Sequence, residues 1–180
     1  MVNFPLKTML RHVIPYKSTG RQGGMFVGTI KNTLDPKGRL SVPAHFRNVV
    51  SHPDFNGIYV WPALSGEPYL EGAGHERMLR FETALQKMDP FSEPRRVLQD
   101  HIFAAAYNLS FDANGRIVLP KNLIEFLGAK DSISFVGVGS GFELWEPGAR
   151  NQRVEESRAK VKEYHGLLST AMAPLSGEGL

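Results

Sequence analysis

Two short stretches of this sequence carry side chains of the type and spacing that suit an anion. In NTLDPKGRLSVPAHFR (residues 32–47), Asp35, Lys37, Gly38 and Arg39 put one carboxylate, one glycine and two cations within five residues. Cations beside a glycine turn can cradle a phosphate, hold a nucleic-acid backbone, or only keep a hairpin tip in water. The second stretch, FDANGRIVLP (111–120), repeats the first 77 residues later. Asp35 matches Asp112, Gly38 matches Gly115, Arg39 matches Arg116 and Pro43 matches Pro120. Asp at the first turn position accepts a backbone N–H two residues on, and Gly takes the positive φ that a tight turn needs. Asp35, Gly38, Asp112 and Gly115 therefore build the turns, and Arg39 and Arg116 are what the turns present. A planar fork of five donors suits phosphates or guanine edges. Lys37 adds a point charge that serves backbone attraction better than base reading. Asn114 replaces it in the second copy, so the first turn is expected to carry more of any salt-dependent affinity.

The repeat extends beyond the turns and sets the elements that hold them. Each unit reads as strand, turn, short strand, short helix, two strands and a longer helix. FVGTIKNTL and NLSF supply the first strands, and Pro43 and Pro120 end the second ones and suit the first turn of a helix. Those helices are AHFRNVV and KNLIEFLG, with Gly128 as a C-cap. GIYVWPAL and SISFVGVG are β-rich, while PYLEGAGHER and FELWEPGARN each leave a strand, pass a glycine and enter a helix. Met78, Phe81, Leu85 and Met88 share one helical face; Ser92 is a candidate N-cap for a helix placing Leu98, Ile102 and Ala105 together. In the last helix Val154, Val161, Tyr164 and Leu168 form a narrow stripe, expected to be core, with a subunit interface as the alternative. Units of this size are small for independent stability, so they are expected to pack as a pseudo-two-fold pair around a single core.

Other chemistries find little support. The chain has no cysteine, which excludes disulfides, thiolate metal sites and a cysteine nucleophile. Its six histidines lack metal-ligand spacing, and His101 beside Asp100 reads as surface or interface. GVGSG (137–141) runs into the strand FELW rather than opening a helix, so it reads as a hairpin turn and not a phosphate loop. No serine sits in a nucleophile elbow, and neither catalysis nor a cofactor is expected. At 180 residues, 42% hydrophobic and 22% charged, the composition is that of a soluble globular protein. The basic balance is local. Lys7, Arg11, Lys17 and Arg21 give residues 1–24 a charge of +4; with the whole chain at +3, residues 25–180 sum to −1. A nucleic-acid surface would have to come from clustering of cations rather than from net charge.

The pattern D-x-K-G-R-L-x-x-P, repeated in register as D-x-x-G-R-x-x-x-P, resembles the MraZ family over roughly residues 25–168. The resemblance implies an α+β fold of two tandem AbrB-like swapped-hairpin units. It further implies a transcriptional regulator of the division and cell-wall gene cluster, acting as a repressor or otherwise. Its partners would be double-stranded DNA, bound at short direct repeats in its own promoter, and copies of itself in a ring of the octamer or dodecamer class. A cytoplasmic, nucleoid-associated location follows, with Lys37, Arg39, Asn114 and Arg116 at the DNA. A protein-interaction module of antitoxin type is the alternative. Family chains tend to begin near Met-Phe-x-Gly, and this chain has Met25-Phe26-Val27-Gly28. The expected organisation is a flexible extension (1–24), a first repeat (25–91), a linking helix (92–107), a second repeat with C-terminal helix (108–168) and a disordered tail (169–180).

Overall fold

The structure, a computed structural model, describes residues 24–172. The expected N-terminal extension, but for Gly24, and the tail from residue 173 on lie outside the described residues. The first unit runs β1 (Thr29–Thr33), β2 (Arg39–Ser41), α1 (Ala44–Val50), β3 (Gly57–Pro62), β4 (Tyr69–Ala73) and α2 (His75–Gln86). Helix α3 (Glu93–Gln99) and a π-helical turn (Asp100–Ala104) link it to the second unit. That unit runs β5 (Tyr107–Ser110), β6 (Arg116–Val118), α4 (Lys121–Leu127), β7 (Ser132–Gly137), β8 (Phe142–Trp145) and α5 (Pro147–Met172).

The fold is α+β, and the units exchange strands. The six-stranded sheet has the order β1-β7-β8-β4-β3-β5, so each unit's first strand lies against the other unit's third. Thr33 pairs with Ser132, and in the other half Ser110 pairs with Gly57, the same register on both sides. The short strands β2 and β6 pair with each other in a separate two-stranded ribbon. Leu40 faces Ile117 at the middle of that ribbon, and Leu70 faces Leu144 at the middle of the sheet. The pseudo-two-fold axis passes through these two pairs.

The main core is built by both units. It joins Leu40, Val42, Phe46 and Ile58 to Ile117, Leu119, Leu123 and Ile133, with Phe26, Phe46 and Phe142 in mutual ring contact at 5.1–5.5 Å. A second, smaller cluster, Trp61, Ala73, Met78 and Ile102, lies where α2 and α3 cover the other side of β3 and β4.

Several local expectations shift by small amounts. Pro43 and Pro120 take the N-cap position, one residue earlier, with φ of −53° and −58°. Gly128 is a left-handed C-cap at φ 65°. Ser92 stands at an N-cap, but its hydroxyl donates back to the Asp89 carbonyl (2.8 Å). The linking helix stops earlier than expected, since Tyr107 already belongs to β5. Its π-helical turn widens the spacing, so Ala106 rather than Ala105 joins Leu98 and Ile102. Helix α2 ends before Met88. His101 is not a free surface group, because its ring nitrogen meets the Pro62 carbonyl at 2.9 Å.

The larger correction concerns α5. It buries no residue, and Val161, Tyr164 and Leu168 are exposed rather than core. Among the described residues its first turns are anchored, through Arg150 over the Trp145 ring and Arg153 to Glu67 at 3.7 Å. Beyond them the helix leaves the sheet, and it continues through residues 169–172, expected to be tail.

Candidate nucleic-acid interface

The two turns are built alike, bond for bond. Asp35 Oδ1 accepts the N–H groups of Lys37 (2.8 Å) and Arg39 (2.9 Å), and Gly38 N–H donates to the Asp35 carbonyl (2.9 Å). In the second turn Asp112 Oδ1 accepts Asn114 N–H (2.8 Å) and Arg116 N–H (2.9 Å), and Gly115 N–H donates to the Asp112 carbonyl (2.9 Å). Gly38 and Gly115 sit at φ 77° and 72°, where a side chain is strained.

Each aspartate also orients its arginine. Asp35 Oδ2 accepts Arg39 Nε at 2.5 Å, and Asp112 Oδ2 accepts Arg116 Nε at 2.8 Å. These pairs are too exposed to stabilise the fold much. Their effect is geometric: Nε is held inward, and among the described residues no hydrogen bond engages either arginine's Nη groups. The Arg39 N–H foremost, then its guanidinium and the Lys37 N–H, hold the Asp35 carboxyl below the ordinary aspartate value. The Arg116 N–H foremost, with its guanidinium and the Asn114 N–H, does the same for Asp112. At neutral pH both groups are ionised and acceptor-only.

The β2–β6 ribbon brings the two arginines together. Arg39 stands opposite Val118, and Ser41 opposite Arg116. Residues directly opposite or two apart in a ladder share a face, so Arg39, Ser41, Arg116 and Val118 line one side and Leu40 and Ile117 the other. The second side is buried, and on the first Ser41 and Val118 are exposed. Arg39 and Arg116 are diagonal neighbours, roughly 7–8 Å apart at the backbone. Leu119 N–H donates to the Gly38 carbonyl (2.8 Å) and Val42 N–H to the Gly115 carbonyl (3.1 Å), so each turn is tied to the other unit. Lys37 and Asn114 stand exposed at matching places on the two turns. Among the described residues no cluster of three or more histidine, cysteine or acidic side chains could hold a metal, and no helix is long and apolar enough to cross a membrane.

One cation was not singled out by sequence. Arg47 of α1 lies over Gly115 of the second turn: a Cβ built there would fall 2.4 Å from Arg47 Nη1. Nothing local signals this contact, because it crosses from one unit to the other.

Two strand-exchanged halves, each offering an Asp-locked arginine turn on a shared ribbon, define the duplicated AbrB-like class of α+β proteins. The profile of the family described as "MraZ protein, putative antitoxin-like" matches residues 102–165. The chain is 40% identical to "Transcriptional regulator MraZ" of Parvibaculum lavamentivorans, over 86% of this chain and 96% of that protein. The proteins of the same name from Beijerinckia indica and Rickettsia bellii are 34% and 39% identical, over 81% and 66% of this chain and 88% and 78% of theirs. The chain belongs to the MraZ family.

Proposed function

We propose that this protein is a DNA-binding transcriptional regulator without enzymatic activity, which reads promoter DNA through its two arginine turns. The observation that carries this reading is the side-by-side placement of Arg39 and Arg116 on the open face of the β2–β6 ribbon. Their Nε atoms are held by aspartate, and their Nη groups are left to a ligand. Guanidinium groups presented this way suit phosphate oxygens and guanine edges, and Lys37 adds charge for the backbone. The relatives' shared name, transcriptional regulator, supports the same reading.

One chain offers few phosphate contacts. A ring of copies with the ribbons along one edge would gain through effective concentration wherever short direct repeats match the subunit spacing. The target in this reading is the promoter of the protein's own operon, in the division and cell-wall gene cluster, and the protein acts at the nucleoid. A second reading, an antitoxin-type interaction module, is favoured by the uncovered apolar stripe of α5.

The test is a titration of wild type and the Arg39→Ala, Arg116→Ala double variant against the DNA upstream of the chain's own gene, at two salt concentrations. Wild type should bind that DNA over a scrambled duplex, and the double variant should not. Absent binding by wild type, or binding indifferent to the double change, would overturn the proposal.

A further inference from the structure

The two turns differ in sequence at one charged position, Lys37 against Asn114, yet the structure evens the charge. Arg47, half-buried on α1, lays its guanidinium over Gly115 and donates from Nε to the Val42 carbonyl (3.2 Å). The residue equivalent to Arg47 in the second unit, 77 positions on, is Ile124, and its Cδ1 faces Gly38 of the first turn. So the turn that has the lysine is flanked by an isoleucine, and the turn that lacks it is flanked by an arginine. Each turn then holds one aspartate and two cations, Asp35 with Lys37 and Arg39, and Asp112 with Arg116 and Arg47, a net +1 in both.

Among the described residues Arg47 also lacks a counter-ion. Asp112 lines the same open cleft, with Arg47, Ser51, Asn56 and Gly115, but its Oδ2 is taken by Arg116. Among the described residues no carboxylate lies within 4.0 Å of the Arg47 guanidinium. A half-buried cation with no acidic partner among the described residues, laid over the glycine that precedes Arg116 in the chain, is arranged for an anion supplied from outside.

We infer that Arg47 is the second cation of the Asp112 turn and binds a DNA phosphate beside Arg116, as Lys37 does beside Arg39. This rests on the DNA-binding reading above and extends it to a residue outside both turns. It also replaces the expectation that the first turn carries more of the salt-dependent affinity: the two turns contribute alike.

The test compares wild type, Arg47→Gln, Arg47→Lys, and Arg47→Gln combined with Asn114→Lys, on the upstream duplex at several salt concentrations. Removing one cation from a phosphate lowers the slope of log affinity against log salt by about 0.9, so a fourfold rise in salt should weaken Arg47→Gln about 3.5-fold less than wild type. Arg47→Lys keeps the charge and should keep the slope. Asn114→Lys, which puts the missing lysine back on the turn itself, should restore the slope of Arg47→Gln. A merely structural Arg47 would not be rescued that way. An unchanged slope in Arg47→Gln overturns the inference, as does weaker binding that Asn114→Lys fails to rescue. Should Arg47→Gln fail to fold, Arg47→Ile, which copies the residue standing at the equivalent place beside Gly38, takes its role: a slope reduced by about 0.9 upholds the inference and an unchanged slope overturns it. If wild type does not bind the duplex, the DNA-binding reading itself falls. If binding is abolished in the Arg39→Ala, Arg116→Ala variant but indifferent to Arg47→Gln, only the present inference falls.

Discussion

Leu40 lies opposite Ile117, one from each unit, and both side chains are buried in the core that the two halves share. Cutting either to alanine leaves a void that cannot be filled by one half relaxing alone. Leu40→Ala is expected to cost about 2–5 kcal/mol. Denaturant unfolding of the variant should remain one cooperative transition, because neither unit has a complete core without the other. Two separated transitions would show that the halves fold independently.

The turn glycines separate two kinds of crowding. Alanine at either position accepts a positive φ, a strain of about 1–2 kcal/mol. At Gly38 the new methyl would also fall 2.7 Å from the Leu119 carbonyl, which is fixed backbone. At Gly115 it would meet the end of the Arg47 side chain, which can swing away. Gly38→Ala should therefore lower the melting temperature more than Gly115→Ala does. Equal losses, or the reverse order, would count against this account of the turns.

Acid should loosen the turns. The carboxyls of Asp35 and Asp112 titrate below their ordinary value in the folded chain, each held first by the N–H of its own turn arginine. A depressed folded-state pKa gives stability that is complete above the ordinary aspartate value of about 3.9 and is lost as pH falls through the folded value. The urea midpoint should fall on acidification below about pH 4. In the Asp35→Asn, Asp112→Asn variant that fall should be shallower, the remainder coming from groups such as Glu146, lowered foremost by the Gly148 N–H. Identical pH profiles for the two proteins would refute the assignment.

The outer face of α5 offers a test that leaves the fold alone. Val161, Tyr164 and Leu168 are more than half exposed, so Val161→Glu with Leu168→Glu should shift the unfolding free energy by no more than about 0.5 kcal/mol. If the stripe seats a neighbouring copy, the same variant should lose mass in light scattering while its circular dichroism is unchanged. A variant of unaltered mass would show that the stripe seats no neighbouring copy.

The turns were legible because their bonds are local: Asp35 reaches residues two and four positions on, and Asp112 repeats the pattern. The duplication made the overall α+β architecture legible too. What pairs with what came from the family resemblance, since nothing in TIKNT names SISFVG as its neighbour. Arg47 was missed for the same reason, as its neighbour Gly115 lies in the other repeat. The α5 stripe was misread because periodicity reports an apolar face and not whether anything covers it. The π-helical turn left no trace in the spacing of Leu98, Ile102 and Ala105, and it moved the contact to Ala106.

Strand exchange within one chain has a consequence for variation. Where two identical chains trade strands, every change in a turn appears twice, and a substitution that helps one side burdens the other. Here β1 sits against β7 and β5 against β3 inside a single polypeptide, so the two sides are inherited as separate texts. Asn114 can stand where the first turn has Lys37, and Ile124 where the first unit has Arg47, without the same change being forced on the other copy. The molecule keeps the symmetry of a pair while its two turns remain free to differ.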